Sequence, residues 1–127
     1  MPASRSSAGD APLDLVVDDC SHLYEPTRAS FNELFPRLRP GGLYVIEDWR
    51  WAHPALDADD DGLFEGETPL TRLVFEIVLA LPSVPGLIAD VRIDLESVWV
   101  ERGEATVEPA GFDIAECCRP RGRRLLA

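Results

Sequence analysis

The chain has 127 residues, a formal net charge of −11 and an apolar content of 46%. That length gives one domain with room for a real core, and the acidic balance argues against nucleic acid as a partner, because phosphate binding needs a basic face. No apolar run is long enough to cross a bilayer and the N-terminus carries no signal-peptide pattern, so no membrane partner is expected and the expected setting is cytoplasmic.

Three cysteines, Cys20, Cys117 and Cys118, are too few and wrongly spaced for a disulfide framework or a zinc site, and reduced thiols are the expectation. All 12 basic residues are arginine, and Arg119, Arg121, Arg123 and Arg124 crowd the C-terminus, where they read as a solvated tail over 119–127 rather than an anion site.

In chain order, residues 1–12 are small and polar and read as a disordered lead-in. Leu13 to Val17 form a short apolar run without alternation, as a strand buried on both faces would. A helix is predicted to start near Glu25-Pro26, where glutamate and proline suit a first turn. Phe31, Leu34, Phe35 and Leu38 fall at i, i+3, i+4 and i+7 and give it one apolar face. Pro36 breaks or tightens it, and Pro40-Gly41-Gly42 turns the chain into a second strand, Leu43 to Ile46.

A long acidic loop follows, from Trp49 to about Thr68, with Asp57, Asp59, Asp60 and Asp61, a length often found in lids or binding loops. Thr68-Pro69 is predicted to open a second helix, apolar round most of its circumference from Leu70 to Leu81 and therefore heavily buried. Val91, Ile93 and Leu95 alternate with charged residues as a half-wet strand. A phase shift at Ser97 reads as a β-bulge, with Val98 and Val100 continuing the same strand. Gly103 offers a turn and Thr106-Val107 a short return strand, the C-terminal antiparallel hairpin.

A strand–helix–strand crossover makes the two strands parallel, with their carboxyl ends on one edge of the sheet. Asp18-Asp19-Cys20-Ser21-His22 closes the first strand and Glu47-Asp48 the second, so acids and a histidine gather where open α/β sheets hold their chemistry. Successive strand residues point to opposite faces, so Asp18 and Asp19 cannot both enter one site, nor can Glu47 and Asp48 unless the backbone turns there. Carboxylates with waters suit magnesium, and a neutral imidazole at His22 could take a proton from a hydroxyl. The same acids, or Ser21, could equally cap the next helix.

Together, Leu15 to His22 and Phe31 to Asp48 resemble the second half of a class I S-adenosylmethionine-dependent methyltransferase. Within that class they are similar to the metal-dependent macrocin and mycinamicin sugar O-methyltransferases, with cephalosporin hydroxylase-like proteins nearby. The resemblance is carried by about forty residues, Asp14 to Trp49. It implies an α/β fold, a partial Rossmann-like sheet from the fourth strand onward with flanking helices, over residues 13–118. It also implies magnesium held by Asp19, Glu47 and Asp48, His22 as the base, S-adenosylmethionine as cofactor and a small-molecule or sugar hydroxyl as acceptor. Trp49 and Trp51 would line the acceptor pocket or pack under the loop.

Where the family has glycine this chain has Cys20. No glycine-rich cofactor turn is found, so most of the S-adenosylmethionine site is expected outside this chain. A homo-oligomer or a separate N-terminal half is the matching partner. The alternative function is a non-catalytic remnant or interaction protein that keeps the fold.

Overall fold

Strands β1 (Leu13–Asp18) and β2 (Leu38–Glu47) pair in parallel through the helix α1 (Tyr24–Leu34) that crosses between them. A second helix, α2 (Thr71–Ser83), leads to β3 (Ile88–Ile93) and β4 (Ser97–Arg102), and β4 inserts antiparallel between β2 and β3. The order is β1-β2-β4-β3. The structure, a computed structural model, describes residues 11–19, 21–50, 53 and 66–126. The lead-in through residue 10, Cys20, Trp51 and the acids Asp57 to Asp61 lie outside the described residues.

The core occupies the sheet face that carries both helices. Phe31 stacks on Phe35 at 4.6 Å and meets Tyr44 edge-on at 4.8 Å, and all three are fully buried. Such pairs add about 0.5–1.5 kcal/mol to the area they bury. Ile46, Leu73, Ile77, Val98, Val100 and Ile114 complete this layer. The C-terminal segment is pinned to α1 by Asp113, which accepts two hydrogen bonds from Arg28 at 2.9 and 2.7 Å and one from Asn32 at 3.2 Å.

Several expectations are corrected. Leu38 is buried as the first residue of β2, not on the helix, because a 3-10 turn at Phe35–Arg37 ends the helical path and the strand begins before Pro40. Thr68-Pro69 precedes α2 without capping it; the N-cap is Leu70, with no side-chain cap hydrogen bond. That helix buries one face only, leaving Phe75, Val78 and Leu81 exposed, since the sheet lies on one side of it.

The phase shift at Ser97 is a chain reversal and not a bulge. The amides of Glu96 and Ser97 both donate to Asp94 Oδ1 at 2.8 Å, which closes a tight β3–β4 hairpin. Gly103 makes no hairpin turn and Thr106-Val107 is not a strand. Gly103 instead passes so close to residue 86 that a Cβ would fall 2.1 Å from the Gly86 oxygen.

β1 is buried on one face, not two: Leu15 and Val17 are 56% and 51% exposed on the side away from the helices. Among the described residues its outer edge pairs with no strand. In the arginine-rich tail, Arg119 and Arg124 both ion-pair with Glu116. No helix of the described residues is long and apolar enough to cross a membrane.

Candidate metal and acceptor site

The carboxyl ends of β1 and β2 deliver their acids differently. Asp18, the last residue of β1, is buried and its Oδ2 accepts from the Tyr44 hydroxyl at 3.2 Å, so it faces the core layer. Strand alternation then sends Asp19 out of that layer. His22 returns from the turn with its Nε2 3.8 Å from Asp19 Oδ1, the imidazole 22% and the carboxylate 52% exposed.

Glu47 ends β2 opposite Ser97. At Asp48 the backbone takes φ +58°, and its amide donates to Glu96 at 2.7 Å, which brings the chain out of the strand. His22 has φ +62°. Left-handed backbone at a non-glycine residue costs on the order of 1–3 kcal/mol and concentrates at functional sites.

The result is a cluster of Asp19, His22 and Asp48, each offering one ligand atom within 4.8 Å of the others. Glu47 is not in that group, and Asp18 is turned away into the core. The capping alternative finds no support in α1: its N-cap is Leu23, without a side-chain cap hydrogen bond, and Ser21 Oγ accepts from the Leu23 amide at 3.2 Å. Oxygen donors from two carboxylates beside one imidazole make a donor set that suits a hard divalent cation.

Beyond Asp48, the Trp49 indole donates to the Asp94 oxygen at 2.8 Å, which fixes its ring against the β3–β4 turn. The turn is the feature the amino-acid pattern hid, and its signal was Asp94, an acid placed to accept from amides two and three residues on.

The chain is 51% identical over 63 residues to demethylmacrocin O-methyltransferase of Streptomyces fradiae, covering 49% of this chain and 15% of that protein. It is 34% identical over 113 residues to 8-demethyl-8-(2-methoxy-alpha-L-rhamnosyl)-tetracenomycin-C 3'-O-methyltransferase of Streptomyces olivaceus, covering 82% and 28%. The fold superposes on the MycE methyltransferase of the mycinamycin biosynthetic pathway, solved with Mg, SAH and mycinamycin VI, at a TM-score of 0.58 and 32% identity, covering 79% and 28%.

The chain is a relative of the S-adenosylmethionine-dependent sugar O-methyltransferases. It matches the C-terminal part of their fold and spans under a third of the length of each of these three relatives. No protein-family profile matches the chain. The strand order β1-β2-β4-β3, with a reversed strand beside the last parallel one, is the partial methyltransferase sheet that the resemblance implied.

Proposed function

We propose that this chain carries the metal and acceptor half of a magnesium-assisted O-methyltransferase acting on a sugar or other small-molecule hydroxyl. The observation that carries it is the convergence of Asp19, His22 and Asp48 within 4.8 Å at the carboxyl edge of the sheet. Asp19 and Asp48 would hold the cation, and Glu47, one residue from Asp48, is the third ligand by family resemblance. When bound, magnesium supplies Lewis acidity to a ligated hydroxyl and S-adenosylmethionine supplies the methyl group.

His22 accepts the proton that the acceptor hydroxyl releases. Asp19 Oδ1 lies 3.8 Å from its Nε2. A positioned base of this kind contributes about 10²–10⁴-fold in rate. The described residues present no glycine-rich turn between a strand and a helix, so the cofactor's seat is assigned outside them. The bare face of β1, with Leu15 and Val17, is the surface on which a cofactor-binding half or a second copy would pack.

The same reading takes 13–118 as the methyltransferase part, 1–12 as lead-in and 119–127 as tail. It also takes a cytoplasmic setting, in keeping with the free thiols of Cys117 and Cys118. Relatives named for methylation of macrolide and tetracenomycin glycosides favour the enzyme over a non-catalytic remnant. Calorimetric titration of magnesium into the wild type and an Asp19→Asn, Asp48→Asn double variant tests the proposal. Heat in the wild type that vanishes in the variant is expected, and equal heats from both would sink it.

A further inference from the structure

Asp48 reaches the cluster from backbone that has already left the sheet. The β2–β4 ladder ends at Glu47 opposite Ser97, and Asp48, one residue on, has φ +58°. An aspartate keeps such a conformation only where its surroundings over-determine it. Here those surroundings are the β3–β4 turn. The Asp48 amide donates to the Glu96 oxygen at 2.7 Å, the Trp49 indole to the Asp94 oxygen at 2.8 Å, and Arg50 Nη2 to Glu96 Oε2 at 3.4 Å. Three consecutive residues are strapped to one turn, each through a different kind of group.

The turn itself is closed by a side chain. Asp94 Oδ1 accepts from the amides of Glu96 and Ser97 at 2.8 Å each, and the Asp94 amide donates to the Ser97 oxygen at 2.9 Å. The stretch Asp94-Leu95-Glu96 has no glycine or proline to close it by backbone preference. The Glu96 carbonyl and the Ser97 amide are opposite ends of one planar peptide group. Asp94 Oδ1 grips the amide end, and the carbonyl end receives the Asp48 amide. Fixing one end of a rigid plane fixes the direction of the other.

We infer that Asp94 is a positioning residue for the cation site: through the Glu96–Ser97 peptide and the Trp49 indole it holds Asp48 in the backbone conformation that turns its carboxylate toward Asp19 and His22. The inference rests on the function proposed above and adds a residue of another hairpin, one that contributes no atom to the cluster of Asp19, His22 and Asp48. Hydrogen-bonded partners that orient metal-binding side chains govern affinity along with the ligands themselves.

The test is magnesium calorimetry on the full chain, beside chemical denaturation and amide exchange of the metal-free ¹⁵N-labelled protein. Asp94→Ala removes the oxygen that grips the peptide and should weaken magnesium by about tenfold. Asp94→Asn keeps an acceptor oxygen and loses only the charge, so its affinity should stay within about threefold of the wild type. Gly111→Ala, beside Leu38 at the opposite end of β2, supplies the purely structural comparison: it should lower stability and leave magnesium affinity unchanged. In the metal-free chain Asp94→Ala should speed exchange of the Asp48 amide and shift the Trp49 indole proton, and Asp94→Asn should restore both. Trp49→Phe leaves the turn built and removes one strap, and should weaken magnesium in the same direction; it serves as the test if Asp94→Ala does not fold.

Wild-type affinity in Asp94→Ala, or in Trp49→Phe where that variant replaces it, would overturn the inference. An Asp94→Asn variant as weak as Asp94→Ala would assign the effect to charge rather than position and overturn it too. A wild type that gives no magnesium heat defeats the proposed function alone. The positioning of Asp48 is then decided in the metal-free chain, where unchanged exchange of its amide in Asp94→Ala overturns the inference.

Discussion

The hydroxyl of Tyr44 donates to Asp18 at 3.2 Å, a bond that holds the first of two consecutive acids in the core layer. With Asp18 tied into the core layer, pleating turns Asp19 outward to His22 and Asp48. Tyr44→Phe removes the donor without emptying the core. It should cost about 1 kcal/mol in chemical denaturation and leave the magnesium titration unchanged. A loss of magnesium heat in this variant would show that Asp18 itself serves the cation.

Asp48 joins a strained backbone to a ligand role, and the two can be separated. Its φ of +58° is one that glycine adopts freely and aspartate does not. Asp48→Gly should therefore raise stability by up to about 1 kcal/mol while it removes the carboxylate and abolishes the magnesium heat. Denaturation and calorimetry on the same sample check both halves. A variant that is less stable than the wild type would mean that the carboxylate contributes more to the fold than the backbone strain costs.

Glu76 is a buried carboxylate on α2, and two of its neighbours make the fold sensitive to alkali. The Tyr24 hydroxyl donates to Glu76 at 2.7 Å, and burial together with that carboxylate pushes the phenol from 10.0 up to about 12. Burial first, then the charge of Glu76, pushes the Cys118 thiol from 9.0 up to about 12. A group whose proton is held more tightly in the folded state contributes fully below its unfolded pKa and loses that contribution as pH rises through the folded one. Stability should hold up to pH 9.0 and fall steadily from there to about pH 12. Tyr24 alone would account for up to about 3 kcal/mol of that fall. Thermal melts over this range check it, and a Tyr24→Phe, Cys118→Ala variant should start lower and decline less.

Gly103 has almost no room for a side chain. Its amide donates to the Leu87 oxygen at 2.8 Å, and an added Cβ would sit 2.1 Å from the Gly86 oxygen, a backbone atom that cannot swing aside. Gly103→Ala should destabilise by more than about 3 kcal/mol, because β4 and residues 84–87 must separate to admit a methyl group. Gly111→Ala, with open space at its Cβ but φ +78°, should cost only about 1 kcal/mol in the same denaturation series.

The crossover, the two acid clusters and the face of α1 were legible because each has a local signature: an apolar run closed by acids, or spacing at i, i+3 and i+4. Alternation lets only one of Asp18 and Asp19 enter the site, and the choice of Asp19 rests on the family resemblance. The hairpin at Asp94 to Glu96 was not legible. Its turn has no glycine, proline or asparagine, and Leu95 continues the alternation of Val91 and Ile93 straight through it. The exposed side of α2 was hidden for a different reason. Its residues are apolar all round, and only the layers packed against it determine that Leu73 and Ile77 go inward while Phe75 and Val78 line a groove. Leu15 and Val17 misled in the same way, since an unbroken apolar run states what a strand tolerates on each face, not what covers it.

That uncovered face of β1 carries the last prediction. Leu15 and Val17 stand more than half exposed beside Val45, and the outer edge of β1 offers its amides and carbonyls to no strand among the described residues. β1 contains no lysine or proline to blunt its edge, its inward carboxylate, Asp18, comes only at its last residue, and Asp14 pairs with Arg39 at 2.6 Å near its start. A parallel strand or a helix-bearing layer from another copy therefore meets matching hydrogen-bond groups and apolar surface together. The full chain should self-associate as its concentration rises, which light scattering across a dilution series will register. Leu15→Lys, on the exposed face and four residues before Asp19, should move the chain toward monomer and leave the magnesium heat intact. A wild type that stays monomeric when concentrated, with slow amide exchange from Leu15 to Val17, would show that this edge is already covered.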